Sequence, residues 1–170
     1  MQGARFHKIL SLLTWRGALA VLFSGLCAVA VAHAGALEDG QSAYAHRDFD
    51  AALKLLQPLA KNGDAQAQAT LGLMYNTGEG VPQDFESAIR WWRLSAVQGN
   101  ALAQVNLGLA YGIQQKFDRA YVWLSAAAAQ NYPNAAVFRA AFAERMTKEQ
   151  LAQAQAKIQQ CLSSDYKLCE

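Results

Sequence analysis

Residues 67–75 read AQATLGLMY, and residues 103–111 read AQVNLGLAY. Leu71, Gly72 and Tyr75 therefore return 36 residues later as Leu107, Gly108 and Tyr111. Steps of one, three and four place each trio on one face of a helix. A second signature travels with the first. Phe49, Ala52 and Leu55 recur at the same spacing as Phe85, Ala88 and Trp91, then after 32 residues as Phe117, Ala120 and Trp123. The four lost residues fall between the two signatures, where NTGEGVPQDF (76–85) shortens to GIQQKF (112–117). A length change there marks a loop between two elements, so each unit is a pair of helices.

The helix ends are marked as well. Asp64 and Asn100 precede the first helix of their units and suit an N-cap. Pro82 suits a first helical turn. Gly78 and Gly80 punctuate the loop, where a left-handed backbone is expected. Thr147 with Gln150 makes a capping box. Pro58 falls late in its helix and should kink it or end its regular bonding. The expected helices are 37–47, 49–61, 64–76, 83–98, 101–112, 116–130, 134–145 and 148–162. Gly72 and Gly108 sit mid-helix, where glycine costs about 1 kcal/mol against alanine. With Ala52, Ala88 and Ala120 on the second helices, they should let paired helices approach closely. Trp91 and Trp92 align with apolar positions in every unit and read as core. Arg90 and Arg93 read as a solvated face.

This pattern resembles the Sel1-like repeat, a relative of the tetratricopeptide repeat. Leu71, Gly72, Tyr75, Gly78, Gly80, Val81, Asp84, Ala88, Trp91, Ala96 and Gly99 carry the resemblance in order. The third unit lacks the loop, and the first fits only from Phe49 through Gly63. The resemblance implies an all-α fold, a short right-handed solenoid of antiparallel helix pairs over 35–132. Residues 133–170 would close it as capping helices and a tail. It also implies a scaffold for contact with a protein or peptide partner. In such solenoids the first helices line the concave surface, which makes Thr70, Met74 and Asn106 candidate contact residues.

The chain is 53% hydrophobic, enough for a sizeable core. Its formal charge is +2, but Arg5, Lys8 and Arg16 lie in the first 34 residues, which hold no acid. The remainder carries 12 basic and 13 acidic side chains, so no electrostatic footprint for nucleic acid is present. Gly17 to Ala32 is uncharged and apolar, and Ala32-His33-Ala34 follows as a small-residue site. That order is a cleavable secretory signal peptide over residues 1–34, leaving no membrane span after cleavage. Sixteen helical residues rise only about 24 Å, short of the roughly 30 Å hydrocarbon core. Cys27 has Leu26, not a small residue, before it, and reads as part of the discarded segment. The expected location is periplasmic or secreted. There Cys161 and Cys169 should pair, provided that the last helix stops between them at Ser163, Ser164 or Asp165.

No motif for a metal, cofactor or phosphate stands out, and His46 reads as a solvated helix-end residue. Ser164-Asp165-Tyr166-Lys167 matches S-x-x-K, the nucleophile signature of penicillin-recognising enzymes. Cysteine-rich Sel1-like proteins have been linked to β-lactam binding or hydrolysis, but S-D-N and K-T-G partners are absent here. The expected function is a non-enzymatic, exported interaction scaffold. An envelope assembly or maintenance factor is the alternative, and a β-lactam enzyme the remote one.

Overall fold

The structure is a computed structural model that describes residues 33–170. The apolar run, Cys27 and the leader up to Ala32 lie outside the described residues. Eight helices and no strand make up the described part: α1 (33–45), α2 (Phe49–Lys61), α3 (Ala65–Thr77), α4 (Phe85–Ala96), α5 (Ala101–Ile113), α6 (Phe117–Ala129), α7 (Ala135–Ala143) and α8 (Lys148–Ser163). Consecutive helices pack on one another from α2 through α7, and α8 folds back onto α6.

Short polar side chains start most of these helices. Asp48, Asp64, Asp84 and Asn100 each accept the backbone N–H three residues on. These bonds satisfy donors that the helix itself leaves free. The capping box of Thr147 and Gln150 is complete. Asp84 corrects the expectation for Pro82: the cap delays α4 to Phe85, so the proline lies in the preceding loop. Pro58 does not end its helix. The backbone bonds resume beyond it, with the Asn62 N–H reaching the Pro58 carbonyl at 3.1 Å. Between units the chain turns at Gly63 and Gly99, with φ of 99° and 87°. Only glycine takes such angles without strain.

Within each unit a glycine of the first helix lies under a bulky residue of the second. A Cβ on Gly72 would sit 2.3 Å from the Trp92 indole, and one on Gly108 would sit 2.8 Å from Leu124. The first unit does the same, with Gly40 against Leu56 at 2.7 Å, although its sequence lacks the Leu-Gly-x-x-Tyr signature. Trp92, Trp123, Leu71, Leu107 and Tyr111 are buried, whereas Trp91 is only partly so. The indole that fills the core of unit two is thus Trp92.

A row of glutamines ties unit to unit. Gln68 Nε2 donates to the Ala60 carbonyl at 3.1 Å, and Gln104 Nε2 donates to the Ala96 carbonyl at 3.2 Å. Each in turn accepts an amide N–H from the end of its unit, Gln98 onto Gln68 and Gln130 onto Gln104, both at 2.9 Å. Gln68 and Gln104 are buried, so these bonds form in a low-dielectric setting where loss of a partner is costly.

The tail is held at both ends. Helix α8 stops at Ser163, and Asp165 and Tyr166 take positive φ of 52° and 66°. That reversal brings the Cα atoms of Cys161 and Cys169 to 4.4 Å, and the two are joined by a disulfide. Beyond it the Glu170 carboxylate accepts from Tyr111 Oη at 2.9 and 3.0 Å, Arg93 Nε at 3.1 Å and Arg119 Nη1 at 3.3 Å. Arg93 is therefore not simply solvated. It also donates to Tyr111 Oη at 2.6 Å, and it clasps the tail against α4 and α5.

Candidate protein-binding recess

The loop after α3 explains what the third unit lacks. Residues 78–84 fold back over the first unit. A Cβ on Gly80 would lie 2.9 Å from Phe49 Cβ and 3.1 Å from Met74 Cε, so the backbone rests directly on both side chains. Glu79 anchors the loop, accepting from Tyr44 Oη and Thr77 Oγ1, each at 3.0 Å, with Arg47 3.9 Å away. Burial, then the hydrogen bond to Glu79, pushes the Tyr44 phenol from its ordinary 10.0 up to about 12.

This shift has a consequence for stability. Between pH 10 and 12 the unfolded chain loses the Tyr44 proton while the folded chain keeps it. Unfolding then becomes easier as pH rises, so this contribution is complete below pH 10 and lost above it. Tyr44→Phe should flatten the fall in melting temperature over that window relative to wild type. Parallel curves for the two proteins would show that the phenol is not linked to folding.

Thirty-six residues on, Phe49 becomes Phe85, Met74 becomes Ala110 and Thr77 becomes Ile113. The loop that would cover them is four residues shorter. A recess of about 360 Å³ opens at this place between α3, α4 and α5. Phe85, Ile89, Trp92, Leu109, Ala110 and Ile113 give it an apolar lining, with Asn76, Asn106 and Gln114 as its polar members. Phe85 is 59% exposed and Ile113 85% exposed. The recess is thus the site of a missing loop, deepened by the exchange of methionine for alanine. Its size falls in the range of small binding clefts, roughly 300–1,000 Å³.

One donor at the recess is unspent. Asn106 Nδ2 is buried and has no hydrogen-bond partner among the described residues, whereas Trp92 Nε1 packs on Gly72. One repeat earlier, Thr70 satisfies itself by donating to the Gln66 carbonyl at 3.1 Å. Of the three residues expected to face a groove, Asn106 lines the recess and Thr70 is buried. Met74 is fully buried and cannot offer an exposed contact, because the Gly80 loop covers it. Phe85, Leu109 and Ile113 were not read as contact residues from sequence, although the four-residue deletion beside Ile113 was the signal for them.

Ser164 does not stand free as a nucleophile. Its hydroxyl donates to the Cys161 carbonyl at 3.0 Å and accepts the Leu168 N–H at 2.9 Å, which makes it the cap that turns the tail. Among the described residues no group of three or more His, Cys, Asp or Glu is placed to hold a metal. No described helix is long and apolar enough to cross a membrane.

A family model described as Sel1 repeat matches residues 28–64, 65–100 and 101–132. The chain belongs to the Sel1 repeat family. The first Sel1 repeat includes Gly40 and α1, which corrects the reading that this unit fits only from Phe49. The Sel1 repeats of this chain are similar in fold to c5321, a protective antigen present in uropathogenic Escherichia coli strains and displaying an SLR fold. That crystal structure superposes with a TM-score of 0.74 at 24% identity. The match covers 81% of this chain and 31% of that one, so this chain spans under a third of its length. No curated protein matches the chain.

Proposed function

We propose that this Sel1 repeat protein is an exported scaffold that holds a partner polypeptide in the recess between α3, α4 and α5. The observation that carries the reading is the recess itself. It combines exposed apolar side chains with a buried Asn106 donor that has no acceptor among the described residues. A polypeptide supplies both complements, an apolar side chain and a main-chain carbonyl. Membership of the Sel1 repeat family supports a protein partner over a small metabolite.

Export is supported by the basic, apolar and small-residue order of the first 34 residues, and a disulfide between Cys161 and Cys169 is compatible with it. In an envelope the same recess serves an assembly or maintenance factor, which differs from a simple scaffold only in what it holds. The proposal gives Ser164 no catalytic part. Hydrolysis of a chromogenic β-lactam that disappears in Ser164→Ala would contradict it.

The test uses the tagged protein expressed in a Gram-negative host. The mature form should be recovered from the periplasm beginning at Gly35, as read by mass spectrometry. Partners retained by wild type should fall at least tenfold with Phe85→Asp and with Ile113→Asp, and persist with Arg139→Ala on α7. Both aspartates replace exposed side chains, so the fold should survive them. Equal retention by all four proteins would remove the recess from the account.

A further inference from the structure

Resting on the reading that the recess holds a polypeptide, we propose that its occupant is a glycine-tipped turn with large apolar residues beside the glycine. The chain contains its own precedent. One repeat earlier the equivalent surface is occupied, and the occupant is the turn of residues 78–84. There Gly80, at φ 74°, brings the main chain onto Phe49 and Met74, while Val81 packs into the core beside it. A residue with a Cβ at the Gly80 position would meet Phe49 at 2.9 Å. Phe85 stands where Phe49 stands, so the same close approach again calls for glycine.

The differences between the two surfaces define the rest of the ligand. Ala110 replaces Met74, and the vacated volume asks for an apolar side chain longer than that of Val81. Ile113 replaces Thr77, the residue whose hydroxyl helps hold Glu79. The position before the glycine should therefore be apolar here, where the internal loop has an acid. Asn106 replaces Thr70 and leaves a buried N–H without an acceptor among the described residues. A turn brings main-chain carbonyls that can accept this N–H. The class of ligand is thus an apolar–Gly–apolar turn, and not an acidic or basic one.

The full chain tests this with a fluorescent heptapeptide, TGLGLPQ, which copies residues 77–83 with leucine at the two altered places. Fluorescence anisotropy should show saturable binding to wild type. It should weaken at least tenfold for Phe85→Asp, and also for the peptide whose glycines are both alanine. A third protein keeps Gly112 and replaces residues 113–116 with TGEGVPQD, restoring the long loop. With its helical circular dichroism intact, it should bind the peptide at least tenfold more weakly, because its own loop fills the recess. Failure of wild type to bind, or equal binding to the alanine peptide or to the Phe85→Asp protein, overturns the turn ligand. So does equal binding by a folded loop-restored protein. If that protein does not fold, Phe85→Asp and the alanine peptide decide. Such failure leaves the wider proposal to the partner-retention test, where a polypeptide of another shape would still depend on Phe85 and Ile113.

Discussion

Gly72→Leu should lower the melting temperature by about 6–10 °C, as followed by helical circular dichroism. Three bulky atoms of Trp92 lie within 3 Å of where even a Cβ would stand, the nearest at 2.3 Å. Trp92 is buried against α3 and also lines the recess, so the ring can move only by giving up its packing on Gly72. Either the indole leaves its rotamer or α3 moves off α4. Overpacking of this kind costs typically 1–3 kcal/mol, and the close approach here puts it at the upper end. A domain of this size loses about 3–5 °C per kcal/mol. Part of the loss is offset, since glycine in mid-helix is itself unfavourable by about 1 kcal/mol. A melting temperature equal to wild type would mean that the two helices are not in contact at this point.

The second large effect is expected at Gln104. Gln104→Leu keeps the volume nearly constant and adds apolar surface, so a simple burial argument predicts a gain. The structure predicts a loss of about 1–3 kcal/mol, because buried hydrogen-bonding groups are left with fewer partners. Gln104 donates to the Ala96 carbonyl and accepts from Gln130, and it is fully buried. The first bond joins the third unit to the second, and the other ties the two ends of the third unit together. Urea denaturation gives the sign directly: a lower midpoint supports the glutamine ladder, and a higher one refutes it. Gln68→Leu should behave alike, since it makes the same pair of contacts one repeat earlier.

Much of the fold was legible because repetition fixes spacing. The return of Leu71, Gly72 and Tyr75 as Leu107, Gly108 and Tyr111 located both first helices, and their caps located the starts. The first unit was harder to read. Gly40 is flanked by Asp39, Gln41 and Ser42, so the chemistry that marks the motif elsewhere is missing, and only its geometry remains. The glutamine ladder was visible as Gln68 and Gln104 at a spacing of 36, but polar residues on a helix read as surface until their partners are seen. Met74 was misplaced for a related reason. Helical phase says which way a side chain points, and not whether a loop from farther along the chain lies over it. The Gly80 loop does so here. The clearest sign of the recess was the four-residue deletion before Phe117, whose meaning depended on knowing what the longer loop covers in the preceding repeat.

The central claim is that the uncovered surface around Ile113 is where a partner polypeptide sits. Site-specific photo-crosslinking tests it most directly. A benzophenone amino acid is placed at position 113 in the recess, and in a second protein at position 139 on α7, and both are irradiated in intact cells. The account predicts a discrete adduct from position 113 that is absent from position 139 and is lost when Phe85→Asp is added. Adducts of the same size and yield from both positions, or an adduct at 113 that is indifferent to Phe85→Asp, would contradict it.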